Sequence, residues 1–153
     1  VVLDQDKSNF IPLREELEFI QNYLKIEQTR FQDRLEVEFD IEERAQQVQV
    51  PSLILQPLVE NAIKHGFASQ SGDGKITIAG RMTNGQALLL EVRDNGKGST
   101  AEQSALLKKG IGLQNVRERL ALLYGEQAGF RLQSAPGEGF VATLVIPTQK
   151  PTP

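Results

Sequence analysis

Cysteine is absent from this sequence, and histidine occurs once, as His65. Without thiols there are no disulfides and no thiolate metal sites, and one imidazole does not make a structural zinc site. A reducing cytoplasm suits such a composition. Long apolar runs are missing too, the longest falling far short of the roughly 20 residues a membrane helix needs. The opening stretch VVLDQDKSNF has neither the basic region nor the sustained apolar segment of a secretory signal. It reads as the lead into a domain, and export of the chain by itself is not expected. Nor is there an excess of one charge: the formal net charge is −3, with acids and bases interspersed. A nucleic-acid backbone calls for a broad basic face, so this balance points instead to a small ligand or another protein.

What is present fits one soluble domain. The 153 residues are 39% hydrophobic and 24% charged, and a chain of this length buries about 68–70% of its unfolded surface. From Pro12 to Phe31, apolar residues fall at Leu13, Leu17, Ile20, Leu24 and Phe31, a three-four spacing that predicts an amphipathic helix. The stripe allows two partners, the domain's own sheet or a second helix in a dimer seam, and the spacing alone does not separate them. LEVEFDI at 35–41 alternates apolar and acidic residues, as a strand with one wet face does. Residues 42–51 read as a polar connector.

PSLILQPLVENAIKHG, 51–66, predicts a second helix, entered through Pro51 and Ser52 and closed by Gly66. Pro57 inside it predicts a kink or an irregular turn before it. Strands are expected at about 75–82 and 87–94 around Asn84-Gly85, a hairpin signal, then a long loop over 95–112 and a helix from Leu113 to Tyr124 stopped by Gly125. Two last strands, about 129–134 and 140–146, flank APGEG, and the tail TQKPTP is expected to be disordered. This order is not a steady strand-helix alternation. It predicts an α+β, two-layer sandwich with helices on one face of a mixed sheet.

Chemistry begins with parity. Leu88, Leu90 and Val92 define one strand face, and Asp94 continues it, so a carboxylate points toward the core. A buried carboxylate needs donors, and the exocyclic amine of a ligand is one. The alternative is that Asp94 caps the Asn95-Gly96 turn. Asp94-Asn95-Gly96-Lys97-Gly98 also carries two glycines where a planar base can approach the backbone. Gly110-Ile111-Gly112-Leu113, preceded by Lys108 and Lys109, opens the third helix, and amides at a helix N-terminus bind phosphate. On the second helix Gln56, Glu60 and Lys64 are four apart, with Asn61 and His65 alongside and Ile54, Leu55, Leu58, Ala62 and Ile63 opposite. That face is either a solvated one with a Glu60–Lys64 pair or a magnesium and phosphate site, the oxygen of Asn61 being a hard ligand. Neither a dinucleotide fingerprint nor a Gly-Lys-Ser/Thr phosphate loop occurs.

QPLVENAIKHG resembles the N box, DNGKG the first glycine box and GIGLQNVRERL the second glycine box of the superfamily uniting gyrase, heat-shock chaperone, histidine kinase and mismatch-repair ATPases. The likeness runs from about Pro12 to Pro147. PLREELEFIQNYLKIEQTRFQDRL followed by VPSLILQPLVENAIKHG is similar to the LytS-like branch of sensor histidine kinases.

The resemblance implies a Bergerat ATP-binding fold, with nucleotide between the N-box helix and a lid between the glycine boxes, over about 97–110, that orders on binding. It matches Asn61 to the magnesium ligand, Lys64 to a phosphate contact, and His65 to a side chain beside the nucleotide. Asp94 matches the carboxylate that reads the adenine amine, with Gly96 and Gly98 shaping the pocket. Lys109, Gly110, Gly112 and Leu113 match the lid end that meets the phosphates. Asn61 and Glu60 are thus the catalytic candidates. Glu60 takes an acidic position that activates water in the superfamily's ATPases, and its part in transfer to histidine is open.

Two departures stand out: Gly137-Glu138-Gly139-Phe140 replaces the usual Gly-x-Gly-Thr, removing a hydroxyl near adenine, and the lid is short, without a phenylalanine box. The implied protein is a protein-histidine kinase of a two-component system using ATP and Mg2+, residues 1–33 being a helical lead-in, 34–147 the catalytic domain and 148–153 the tail. Its implied partners are a histidine-bearing dimerisation segment of the same protein and, through the full kinase, a response-regulator receiver domain, with no nucleic acid. The domain is expected in the cytoplasm as part of an inner-membrane sensor, without touching the membrane itself.

Overall fold

The computed structural model describes residues 10–32, 34–67, 73–84, 86–96, 111–134 and 139–148, with the backbone alone at 65–67 and 111. Seven strands and three principal helices follow in order: β1 (Phe10–Pro12), α1 (Leu13–Arg30), β2 (Leu35–Ile41), β3 (Gln49–Pro51), α2 (Gln56–Asn61), β4 (Gly74–Thr83), β5 (Ala87–Asp94), α3 (Ile111–Tyr124), β6 (Gly129–Ser134) and β7 (Phe140–Pro147). The main sheet runs β2-β4-β5-β7-β6, with β2 parallel to β4 and the other pairs antiparallel. This is the expected mixed sheet.

Strand alternation sorts its two faces. Glu36, Glu38 and Asp40 stand in water, where Glu36 and Glu38 meet Lys75 at 3.3 and 3.8 Å and Asp40 meets Arg81 at 3.4 Å. The other face carries Leu35, Ile76, Ile78, Leu88, Leu90, Val92, Leu132, Leu144 and Ile146 into the core. Leu13, Leu17, Ile20 and Leu24 of α1 join that same core, each such burial contributing roughly 1.5–3 kcal/mol. Of the two partners open to the α1 stripe, the structure selects the chain's own core.

Four local expectations are corrected. Residues 42–51 are not a plain polar connector: a short 3-10 turn (Glu43–Gln47) buries Ala45, and β3 buries Val50 while pairing with β1. Such three-residue strands are too short to carry a period. The second helix starts at Gln56, not at Pro51, because Pro51 is taken by β3 and 52–55 form a turn. Pro57 then sits in the first helical turn, where its missing N–H is not needed. Nor does Gly66 close it, since α2 passes at Ala62 into a π-helical turn that runs through Phe67. The third helix opens two residues earlier than expected, at Ile111. The hairpin at Asn84 forms as expected, with φ of 50° there and Gln86 N–H bonded to Thr83 O at 3.0 Å.

Candidate nucleotide site

Asp94 lies at the end of β5, opposite Ile76 on β4 and Phe140 on β7, and Ser134 on β6 continues the row. Directly paired residues share a face, so the carboxylate occupies the inward row and is only 5% exposed. Burial pushes its pKa up to about 6, against a backbone bond from Gly96 that lowers it. Gly96 N–H reaches Asp94 Oδ1 at 2.8 Å. Both readings of Asp94 therefore hold: it faces inward, and one oxygen caps the turn. Asn95 fastens that turn to β4, its Oδ1 accepting from Lys75 N–H at 2.8 Å and its N–H reaching Lys75 O at 3.2 Å.

Gly139 seals the other side. It holds φ of +79°, and a Cβ there would lie 2.0 Å from Asp94 O. Glycine is required both by the backbone angle and by this approach. Phe140, in place of the family's threonine, is half-buried beside Asp94 in the paired row, and Ser134 Oγ donates to Gly139 O at 2.8 Å.

The second group of residues stands on α2. Leu58, Val59, Ala62 and Ile63 are buried, Asn61 is half-buried, and Glu60 and Lys64 face solvent. Glu60 accepts from Gln56 Nε2 at 3.2 Å, and among the described residues Lys64 forms no ion pair, so the intrahelical Glu60–Lys64 pair is not made. The π-helical turn, which includes the backbone of His65, lies against β4 and β5; such turns are frequent at functional sites.

The α3 N-terminus meets α2 closely. A Cβ on Gly112 would lie 3.3 Å from Pro57 Cβ, so this glycine lets the two helices approach. Leu113 is buried in the core, which leaves only its backbone available to a ligand. Gly98, Lys109, Gly110 and the rest of the expected lid over 97–110 lie outside the described residues.

Two buried acids were missed in the sequence, Glu16 and Glu27, both on α1. Glu16 of α1 is fully buried, with Oε1 accepting from Leu53 N–H at 2.8 Å and Oε2 from Leu55 N–H at 2.9 Å. Burial raises its pKa, while the Leu55 and Leu53 amides and the Arg119 guanidinium pull it back. Its signal was positional: residue 16 falls within the stripe formed by 13, 17, 20 and 24, where a charge is out of place.

The fold is of the α+β type, a five-stranded mixed sheet packed against helices. The family model described as histidine kinase-, DNA gyrase B-, and HSP90-like ATPase matches residues 46–150, and the chain belongs to that family. A histidine kinase family model matches residues 1–35. The chain is 37% identical over 140 residues to the sensor histidine kinase BtsS of Escherichia coli (strain K12), covering 92% of this chain and 24% of that protein. It is 35% identical over 149 residues to the sensor protein LytS of Enterococcus faecalis, covering 92% and 25%. The chain thus spans about a quarter of the length of these relatives. The histidine kinase domain of the Erythrobacter litoralis EL346 blue-light activated histidine kinase shares the fold, with a TM-score of 0.70 at 21% identity over 90% of this chain and 62% of that one.

Proposed function

We propose that this chain is the ATP-binding catalytic domain of a two-component sensor histidine kinase and passes the γ-phosphate of ATP to a histidine other than its own. The observation that carries the reading is Asp94, an inward carboxylate whose second oxygen accepts no hydrogen bond among the described residues and is left for the adenine amine. Asp94 accepts the N6 hydrogen of adenine, with Gly96 and Gly98 admitting the base. Asn61 offers a hard amide oxygen from a half-buried position, which fits a magnesium ion that keeps most of its water and phosphate ligands. When bound, that ion neutralises charge on the phosphate oxygens. Lys64 adds a cation, and Lys109, Gly110, Gly112 and the amide of Leu113 receive the phosphates at the start of α3. His65 stands beside the nucleotide on the same helix as Asn61.

Transfer breaks the bond between the γ-phosphorus and the β,γ-bridging oxygen and makes a phosphorus–nitrogen bond, with ADP leaving. Positioning and electrostatics supply most of the catalysis. Glu60, solvent-facing and bonded to Gln56, is on this reading the second catalytic candidate, for orienting the incoming group. In the whole protein the acceptor lies on a histidine-bearing dimerisation segment, and a response-regulator receiver domain takes the phosphate onward from an inner-membrane sensor.

The test is calorimetric titration of ATP into the chain with and without magnesium, then incubation with γ-labelled ATP. Binding without acid-labile label on His65 is expected, and adding the histidine-bearing segment in trans should produce label on that segment. Stoichiometric label on His65 in the chain alone would overturn the assignment of His65 to the pocket.

A further inference from the structure

The α2 helix is short, and no side chain of its own caps it. Its N-cap, Leu55, supplies no side-chain hydrogen bond, yet the amides before a helix need partners. Glu16 provides them from 37 and 39 residues away in sequence, its two oxygens holding Leu53 N–H and Leu55 N–H. Leu53 meanwhile sits at φ of 62°, a conformation an L-residue keeps only when its surroundings hold it there. The same turn is also held from α3, where Arg119 Nη1 donates to Ser52 O at 2.5 Å. Arg119 is half-buried and attracts the Glu16 carboxylate electrostatically. Three helices therefore converge on residues 52–55, the segment from which α2 departs toward Asn61. Gly112 against Pro57 makes a second junction between α2 and α3, nearer the start of α3.

We propose that Glu16 and Arg119 are positioning residues for the triphosphate end of the site: holding the 52–55 turn from two sides, they fix where α2 carries Asn61 relative to the α3 N-terminus. Neither touches the nucleotide. The inference rests on the assignment of Asn61 and α3 to magnesium and phosphates, and it is independent of how Asp94 reads the base. Glu16→Gln turns one carboxylate oxygen into an amide NH2 that faces a backbone N–H, and Arg119→Met removes the bond to Ser52 while keeping the aliphatic stem.

The test compares Mg-ATP and metal-free ATP affinities of the chain and its variants, well below each melting temperature. Glu16→Gln and Arg119→Met should each weaken Mg-ATP binding about tenfold, the scale on which outer partners of a metal ligand act. Metal-free ATP should bind within about twofold of the unsubstituted chain, and Arg119→Lys should recover part of the loss. Unchanged Mg-ATP affinity in folded variants, or an equal loss with and without magnesium, overturns the proposal and leaves the turn a purely stabilising feature. Should Glu16→Gln fail to fold, Arg119→Met decides alone, since it removes one hydrogen bond from a half-buried position. If the unsubstituted chain binds no ATP, the nucleotide reading itself fails; if it binds and only Asp94→Ala loses affinity, this inference alone fails.

Discussion

At Asp94, the proposed reader of adenine, side-chain position is set by strand register, whereas Asn61, the proposed metal ligand, stands on a short helix anchored by side chains from elsewhere in the chain. Asp94 is held by β4 and β7 on either side, by Asn95 clasping Lys75 and by Gly139 against its carbonyl. Asn61 has the π-helical turn after it and the Glu16–Arg119 clamp before it. On the proposed reading a base of fixed shape is met by the end of a central strand, paired on both sides, while phosphates and their metal are met by helix ends. Disturbance at the sheet end should therefore cost both stability and binding, and disturbance at the helix end should act mainly through the metal.

The largest effect is expected from Gly139→Ala. The new methyl meets Asp94 O at 2.0 Å, at a positive φ of 79°, so the strand end must move. Destabilisation of about 3 kcal/mol or more should appear in denaturant unfolding, with loss of ATP binding. A stable Gly139→Ala that binds ATP normally would break the claim that register fixes this end.

Asp94→Ala separates binding from folding. Leaving the adenine amine unpaired should weaken ATP by about 1–3 kcal/mol, or about 5- to 150-fold in Kd. The fold should persist, because a buried carboxylate is removed without opening a large cavity. Circular dichroism alongside calorimetry checks both halves.

The acidity of Asp94 gives the third prediction. With its carboxyl raised to about 6 from 3.8, the free folded protein binds more protons than the unfolded chain between those values. Its stability contribution is thus greatest on the acid side and is lost as pH rises through about 6. ATP binding runs the other way, since only the ionised group accepts the amine hydrogen freely. Affinity should fall about tenfold between pH of about 7.5 and about 5, and Asp94→Ala should flatten the profile.

At the helix end, Asn61→Ala should weaken Mg-ATP more than metal-free ATP, by a factor smaller than the Asp94→Ala effect. Smallest of all, Lys64→Ala should lower affinity for ATP relative to adenosine at low ionic strength, with the difference shrinking in salt because this side chain faces solvent. A salt-independent Lys64→Ala effect would mean that the ammonium is buried by the nucleotide.

The sheet end was the more legible of the two in the sequence. Alternation from Leu88 to Asp94 places the carboxylate inward without any tertiary information, because a strand's period of two leaves no other face. The α1 stripe likewise announced its buried side. What the sequence left hidden depends on contacts between distant segments: Glu16 reaching Leu53 and Leu55, Arg119 reaching Ser52, and the approach of Gly139 to Asp94 O. None has a local spacing to reveal it. The late start of α2 was hidden for a related reason, since β3 claims Pro51 only once β1 lies beside it. Leu113 shows the converse, a motif residue whose side chain serves the core.

The central claim, that one end of the site reads adenine and the other holds the metal and phosphates, is tested most directly by titrating ATP, with and without magnesium, into the chain, Asp94→Ala and Asn61→Ala. The account predicts that Asp94→Ala loses affinity equally in both conditions and that Asn61→Ala loses it chiefly with magnesium. Identical metal dependence in the two variants, or full affinity in Asp94→Ala, would contradict it.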